Sequence, residues 1–185
     1  MEKKRCRWAT NVSENYQRYH DEEWGVPVYD DAKLYEMLLL ESFQAGLSWL
    51  IILNKRSFFK EAYDNFDPNK IANYNQDKMN ELLTNKNIIR NRLKIQASVI
   101  NAQVFLKIQK EFGSFSNYLW GYTNHQVILN TTDELPTTSE LSDKMAKDLK
   151  KRGMKFMGTV TLYSYLQAIG IVNDHETSCF KHPNN

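Results

Sequence analysis

The sequence is poor in several features, and each shortage excludes a class of protein. It has seven glycines and four prolines, too few for a turn-rich β-sandwich or barrel. Its net charge of +2 excludes a chain that is basic throughout, so a nucleic-acid surface would have to be a local patch. It has two cysteines, Cys6 and Cys179, which in a cytosolic protein are free thiols or metal ligands rather than a structural disulfide.

Long hydrophobic segments are also missing. The longest apolar run, residues 49–53, is far too short to span a bilayer. The charged N-terminus, residues 1–6, is not followed by the apolar stretch of a secretory signal. We therefore expect a cytoplasmic protein with no membrane partner.

What the chain does contain is typical of one globular domain. Hydrophobic residues make up 42% and charged residues 25% of the 185 positions, which excludes a disordered chain. Aromatic residues reach 12%, with four tryptophans and ten tyrosines. No repeat, linker or low-complexity stretch divides the sequence, so residues 1–185 are predicted to form a single domain.

The helical period dominates the sequence, and sustained two-residue alternation is absent, so the predicted class is all-α. Capping signals support several helix ends: Asp67 before a proline, a Thr137-x-x-Glu140 capping box, and Gly153 and Gly170 as stops. The predicted helices begin near Asp30 and then cover about residues 47–65, 68 onward, 75–83, 88–112, 137–153 and 158–169.

The helix that begins near Asp30 carries one carboxylate on an apolar face. The face repeats at helical spacing through Leu34, Met37, Leu38, Glu41 and Ala45. Burying a carboxylate is costly unless the group is paired or used, and it raises the pKa unless a hydrogen bond or positive charge compensates it. The alternative is an edge residue whose long side chain carries its charged end to water.

Two of the four histidines accompany the cysteines. His20 follows Cys6, and His175 precedes Cys179 at the spacing that places both side chains on one face of a helical turn. Two thiolates and two imidazoles form the closed tetrahedral set of a structural zinc site, which would join the two ends of the chain. The alternative is two unrelated cysteines and surface histidines. A surface position is the default for the remaining pair, His125 and His182.

The segment 150–159 is predicted to be a turn between two helices, bracketed by Gly153 and Gly158. Such a turn leaves backbone N–H groups free to bind a phosphate, and Arg152 and other basic residues stand beside it. An ordinary helical hairpin with a basic last turn is the alternative. A second basic cluster either shares this surface or is simply solvated; it comprises Arg90, Arg92 and Lys94.

Taken together, these stretches resemble the 3-methyladenine DNA glycosylase I family over nearly the whole chain. The motifs that carry the resemblance are Cys6-Arg7-Trp8, Tyr16, and residues 19–27 (YHDEEWGVP), 40–49 (LESFQAGLSW), 87–92 (NIIRNR), 150–158 (KKRGMKFMG) and 172–175 (VNDH). An ordered set of this kind is highly specific. Departures at Arg7, Ser42 and Phe43 affect details of the expected pocket more than membership of the family.

The resemblance implies a helix-hairpin-helix DNA glycosylase fold, with two helical lobes and a base pocket between them. It implies one structural zinc ion per chain, held by Cys6, His20, His175 and Cys179. It also implies a base-binding pocket of Trp8, Tyr16, Tyr19, Glu41 and Trp49, in which Glu41 is the catalytic residue. The DNA backbone would be contacted by Gly153, Lys155 and Gly158. Asp174, which follows the final helix, is given no role.

The implied activity is hydrolytic excision of 3-methyladenine from alkylated double-stranded DNA, which releases the free base and leaves an abasic site. No lysine stands in a pocket motif, so strand cleavage through a Schiff base is not expected, and we expect a monomer. The alternative is a non-enzymatic, zinc-stabilised module that binds damaged or bent DNA. Glu41 separates the two, because a binding module has no use for a buried carboxylate that faces an aromatic pocket.

Overall fold

The computed structural model describes residues 3–185, and helices dominate it, as predicted. The helices are α1 (Glu14–Glu22), α2 (Asp31–Gln44), α3 (Trp49–Ala62), α4 (Pro68–Ile71), α5 (Gln76–Thr84), α6 (Arg92–Phe112), α7 (Phe115–Gly121), α8 (Glu140–Lys151) and α9 (Thr159–Ala168). Two short 3-10 helices cover Arg7–Ala9 and Asp64–Phe66. Within the described residues, no helix is both long enough and apolar enough to cross a membrane.

One short pair of parallel strands was not predicted. Strand β1 (Ile128–Leu129) pairs with β2 (Val172–Asn173), so that Ile128 lies opposite Val172. Two residues are too few to show the alternation by which a strand is recognised in a sequence. The pair fixes the segment between α7 and α8 against the chain that follows α9.

Several predicted helix ends are confirmed by their caps. The side chain of Asp30 accepts a hydrogen bond from the backbone N–H of Lys33 and so caps α2. Asp67 caps α4, which has proline at its first position. Gly170 follows the end of α9 with φ of 72°, and a Cβ atom there would overlap the backbone of Val26.

Other predicted ends were wrong. The cap of α8 is formed by Ser139 and Ser142, each of whose hydroxyl groups accepts from the backbone N–H of the other, and not by Thr137 and Glu140. Here a serine takes the place of the expected glutamate at the third helical position. The long helix α6 begins at Arg92, where Asn91 caps it, four residues later than Ile88. Helix α3 is shorter than predicted at both ends.

Helices α1 and α7 were not predicted. Helix α1 is highly polar and buries only Tyr19 and His20, so it lacks the repeated apolar positions that mark an amphipathic helix. Helix α7 has seven residues and begins just after Gly113, which ends α6 in a left-handed conformation. Packing of its aromatic side chains stabilises α7, and sequence periodicity does not register so short a segment.

Helix α2 lies at the centre of the molecule. It packs against α3, α6, α7 and α9, and every residue from Met37 to Phe43 is buried. The apolar face predicted from the sequence is therefore only part of a helix that is covered on all sides in this stretch. Glu41 lies inside this stretch, so its side chain is buried and does not extend to the outer surface of the protein.

Candidate active site and metal centre

A cavity of about 290 Å³ is lined by residues of α1, α2, α3 and α9 and by the segment 135–137. Its size is at the small end of ligand sites and suits a single base better than a larger ligand. All five residues predicted for the pocket line it, namely Trp8, Tyr16, Tyr19, Glu41 and Trp49. The structure thus brings together residues that are up to 41 positions apart in the sequence.

The carboxyl group of Glu41 is the unusual feature of this cavity. The residue is 3% exposed, and its Oε2 atom is buried without a hydrogen-bond partner. Burial raises the pKa of Glu41 from its ordinary value near 4.5 to about 8. The alternative of a solvated edge residue is therefore wrong, and the raised pKa expected from the sequence is confirmed.

The two tyrosines beside Glu41 do not compensate it. Burial, followed by the proximity of Glu41, raises the pKa of Tyr16 and of Tyr19, so both phenols stay protonated. Within residues 3–185, no side chain donates a hydrogen bond to Glu41, and the hydroxyl group of the neighbouring Tyr19 is no exception. The carboxyl group is left with its hydrogen-bonding capacity directed at the cavity.

Aromatic rings form much of the cavity wall. The ring centroids of Trp8 and Tyr16 are 5.1 Å apart, and those of Tyr19 and Trp49 are 5.3 Å apart. The Nε1 atom of Trp49 is buried and has no hydrogen-bond partner in the part of the chain that the structure describes. A fifth ring, that of Trp24, lies 5.0 Å from Trp8 and lines the cavity, and it was not among the pocket residues predicted from the sequence.

Helix α9 supplies a polar wall that sequence analysis missed. Its residues Val160, Tyr163, Ser164 and Gln167 line the cavity at helical spacing. The signal was present in the sequence, because i, i+3, i+4 and i+7 mark one face of a helix. It was not recognised, since a face that mixes apolar and polar side chains is also typical of a helix at the edge of the core.

A larger cavity of about 660 Å³ lies at the N-terminal segment, but its chemistry is ordinary. Its charged side chains largely pair with neighbours: Arg7 binds Glu176 at 3.0 Å, and Arg5 binds Asp21 at 2.8 Å. The cavity that contains Glu41 is therefore the candidate active site.

The four predicted metal ligands also come together. Cys6, His20, His175 and Cys179 are buried, and one ligand atom from each lies within 4.8 Å of all the others. The Sγ atom of Cys6 is 3.5 Å from Nδ1 of His175, and the Sγ atom of Cys179 is 3.5 Å from Nε2 of His20. This group could hold a metal ion, and the alternative of unrelated cysteines and surface histidines is wrong for these four residues.

The surroundings of the cluster orient its ligands as metal sites require. Nδ1 of His20 is 2.9 Å from a carboxylate oxygen of Asp21, and Nε2 of His175 is 3.0 Å from the carbonyl oxygen of Trp24. Such contacts fix the ring and leave the other nitrogen free to bind a metal. Backbone N–H groups of Glu176 and Lys181 point at the two sulfur atoms, at 3.4 and 3.5 Å.

The remaining histidines differ from each other. His125 is exposed, as expected. His182 is 3% exposed, so its expected surface position is wrong. Its backbone N–H donates to the carbonyl oxygen of Cys179 at 2.9 Å, so it lies in the turn that follows this ligand.

The turn between α8 and α9, residues 152–158, carries the predicted DNA contacts. Gly153 has φ of 103°, which favours glycine, and the side chain of Lys155 is exposed. A Cβ atom on Gly158 would meet nothing within 4 Å, so the backbone there is open to solvent. Within the described residues, the backbone N–H groups of Phe156, Met157 and Gly158 form no hydrogen bond to protein.

Two basic side chains near this turn are not free to bind an anion. Arg152 pairs with Glu111 at 2.7 Å and with Asp148 at 2.8 Å. Lys94, expected on the surface, is buried, and its Nζ atom donates to the carbonyl oxygens of Phe43 and Ala45. Those carbonyls lie at the C-terminal end of α2, where a cation is favourable.

Comparison with known proteins identifies the class. The family model for methyladenine glycosylases matches residues 8–182. The chain is 42% identical to DNA-3-methyladenine glycosylase 1 of Escherichia coli strain K12 over 184 residues, 98% of each chain. It is also 42% identical to DNA-3-methyladenine glycosylase of Haemophilus influenzae strain Rd, over 95% of this chain and 96% of that one.

Solved structures agree with these relatives. A crystal structure of 3-methyladenine DNA glycosylase I superposes with a TM-score of 0.93 at 44% identity, over 97% of this chain and 100% of the other. The Staphylococcus aureus enzyme, described for its recognition of 3-methyladenine, superposes with a TM-score of 0.92 at 38% identity, over 98% and 97% of the chains. The chain belongs to the methyladenine glycosylase family.

Proposed function

We propose that this protein excises 3-methyladenine from alkylated DNA by hydrolysis and leaves an abasic site. The observation that carries the proposal is Glu41, a buried carboxyl group without a hydrogen-bond partner in an aromatic cavity the size of one base. Among the residues that the structure describes, Glu41 lacks a hydrogen-bond donor and a positive charge beside it. A cationic ligand with N–H groups would supply both. Methylation at N3 makes adenine such a ligand while it is still attached to the sugar.

The chemistry explains why few catalytic groups are needed. The methylated base leaves as a neutral molecule, so the protein does not have to protonate a poor leaving group. The bond between the base and C1′ breaks, a water oxygen bonds to C1′, and the water's proton passes to solvent. The protein must extrude the nucleotide from the stack and recognise the damaged base in the cavity.

The cavity residues divide this recognition between them. Trp49, which lines the cavity, would stack on the electron-poor ring, with a cation–π contribution of about 0.5 to 2 kcal/mol. Glu41 accepts hydrogen bonds from the base edge and, once the cation is bound, is held as a carboxylate. Tyr19 lines the cavity beside Glu41 and would form a second hydrogen bond to the base. Among residues 3–185, no lysine lines the cavity, which supports base excision without strand cleavage.

We also propose that the metal is one structural zinc ion. Two cysteine and two histidine ligands are a set that zinc favours, and all four are buried, which suits a closed site without a catalytic water. The ion would hold Cys6 against Cys179 and so tie the two ends of the chain together. Its role is to fix the segments that carry Trp8 and Trp24, and no step of the reaction passes through it.

We further propose that α8, the turn 152–158 and α9 act as a helix-hairpin-helix element that binds the DNA backbone. The free N–H groups of the turn and the N-terminus of α9 are suited to a phosphate. Residues of α9 also line the cavity. A phosphate bound at Gly158, just before α9, would therefore place the neighbouring nucleotide near the opening of the cavity. In this proposal the protein is a single domain and a monomer, and it acts on duplex DNA in the cytoplasm.

The test is a release assay on duplex DNA treated with a methylating agent. The protein should release free 3-methyladenine and leave alkali-labile abasic sites, with no strand breaks before alkali is added. A non-enzymatic DNA-binding module would retain the DNA and release no base. The matched control is Glu61→Gln, an exposed glutamate on α3, which should release base at the wild-type rate.

A further inference from the structure

The wall formed by α9 contains a buried carboxylate that the proposed reaction leaves unused. Asp174 is 1% exposed and lies behind the cavity wall. Its Oδ2 atom accepts a hydrogen bond from the hydroxyl group of Tyr163 at 2.8 Å and from the side-chain nitrogen of Gln167 at 2.6 Å. Both donors belong to residues that line the cavity.

Asp174 is itself held firmly on both sides. It follows β2, which is tied to the preceding segment by the hydrogen bonds of Ile128 to Ile171 and of Asn130 to Asn173. It precedes His175, one of the four clustered metal ligands. When a carboxylate held in this way accepts a short hydrogen bond, it sets the orientation of the side chain that donates the bond.

The orientation of Gln167 is the consequence that matters for the cavity. Because Nε2 points to Asp174, the other polar atom of the carboxamide, Oε1, is turned away from it, and no group within residues 3–185 donates a hydrogen bond to it. The second carboxamide of the cavity follows the same pattern. Nε2 of Gln44 donates to the carbonyl oxygen of Leu47 at 2.8 Å, which leaves its Oε1 free.

We propose that Asp174 is a positioning residue and that Gln167, held by it, is a specificity-determining residue that accepts a hydrogen bond from the exocyclic amino group of the methylated base. This inference rests on the proposed function and adds a second acceptor to Glu41. A 6-amino purine offers two N–H donors at this edge, whereas a 6-oxo purine offers an oxygen that would face the Gln167 oxygen. The wall therefore selects adenine-type over guanine-type methylated bases.

The experiment compares four variants with the wild type. Asp174→Leu removes the acceptor, Asp174→Asn keeps an oxygen that both donors can reach, and Gln167→Met keeps the length of the side chain without its hydrogen bonds. The fourth variant combines Asp174→Leu with Gln167→Met. Affinity for free 3-methyladenine is measured by titration, and single-turnover release of 3-methyladenine and of 3-methylguanine is measured on methylated DNA.

Gln167→Met and Asp174→Leu should each weaken 3-methyladenine binding and release by about 10-fold, the effect of losing one well-placed hydrogen bond in a buried site. The double variant should be no weaker than either single variant, because both remove the same interaction. Asp174→Asn should recover to within about 3-fold of the wild type. Release of 3-methylguanine should not fall in Gln167→Met, so the preference between the two bases should narrow.

The controls separate this role from a structural one. Metal content and melting temperature show whether a change at Asp174 disturbs the neighbouring His175. Gln103→Met makes the same substitution on an exposed position of α6 and should match the wild type. If Asp174→Leu does not fold, Gln167→Met alone still decides the question, since Gln167 is only half-buried.

Two results would overturn the inference. One is wild-type affinity and base preference in a folded Gln167→Met variant. The other is an equal loss of 3-methyladenine and 3-methylguanine release, which indicates a packing defect and not recognition. A wild-type protein that releases no 3-methyladenine at all would instead contradict the proposed function, so the two failures are distinguishable.

Discussion

The side chain of Asn101 forms two hydrogen bonds with the backbone of Lys155. Its Oδ1 atom accepts from the Lys155 N–H at 2.8 Å, and its Nδ2 atom donates to the Lys155 carbonyl oxygen at 2.9 Å. Helix α6 therefore fixes the middle of the α8–α9 turn, while the side chain of Lys155 stays exposed. The backbone N–H of Lys155 is occupied, so a phosphate would bind the groups that follow it.

Gly158→Val should weaken binding to every duplex alike, methylated or not. The glycine has an ordinary negative φ, and a side chain there would point into open space, so the variant should fold normally. The added bulk would keep a phosphate away from the free N–H groups of the turn. The measurement is duplex affinity at two salt concentrations together with affinity for free 3-methyladenine, which should not change.

Gly121→Val is the matched control, since this glycine also has open space around it and an ordinary φ but lies at the end of α7. It should bind DNA as the wild type does. Equal loss of DNA affinity in both variants, or loss of free-base affinity in Gly158→Val, would show a folding defect and remove the turn from the DNA surface.

Purified protein that has not met a chelator should contain about one zinc ion per chain. Cys179→Ser should lose the ion and melt at a lower temperature, because the C-terminal segment is then no longer held to Cys6. Since the carbonyl oxygen of Trp24 accepts a hydrogen bond from His175, the cavity wall should loosen too. Elemental analysis and thermal denaturation measure both effects, and a protein without metal at wild-type stability would contradict the assignment.

The helix starts could be predicted from the sequence more fully than the metal cluster or the cavity wall. Capping residues such as Asp30 and Asp67 predict helix starts because the signal is local. The polar helix α1 begins after Ser13, whose side chain makes no capping hydrogen bond, and it is stabilised by what it packs against. The cluster of Cys6 with Cys179 depends on contacts between the two chain ends, so spacing alone left alternatives open, and the family resemblance favoured one. The role inferred for Gln167 depends on a partner, Asp174, that only the folded chain places beside it.

Glu41→Gln should fold normally and lose affinity for free 3-methyladenine by about 1.5 to 3 kcal/mol, together with excision rate. The amide keeps the shape of the side chain but has no negative charge and one acceptor fewer. Titration of the free base and single-turnover release measure the two effects, with unmodified adenine as a control that should bind poorly to both proteins. Unchanged affinity and rate in the folded variant would remove Glu41 from the site.

The same substitution should change how stability depends on pH. Below pH 4.5, Glu41 is protonated in the folded and the unfolded chain alike. Between pH 4.5 and about 8 the unfolded chain loses this proton while the folded chain keeps it, so the free energy of unfolding of the wild type falls as pH rises. Tyr16 and Tyr19, which face the carboxyl group, stay neutral in this range because their pKa values are raised.

Glu41→Gln has no such proton to lose, so its stability relative to the wild type should increase across this window and level off above pH 8. For a shift of this size the increase is on the order of 5 kcal/mol. Urea denaturation of both proteins from pH 4 to pH 9 measures it, and Glu61→Gln, at an exposed position, should follow the wild type throughout. Parallel curves for Glu41→Gln and the wild type would show that Glu41 is ionised in the empty cavity, and that a group other than the methylated base compensates its charge.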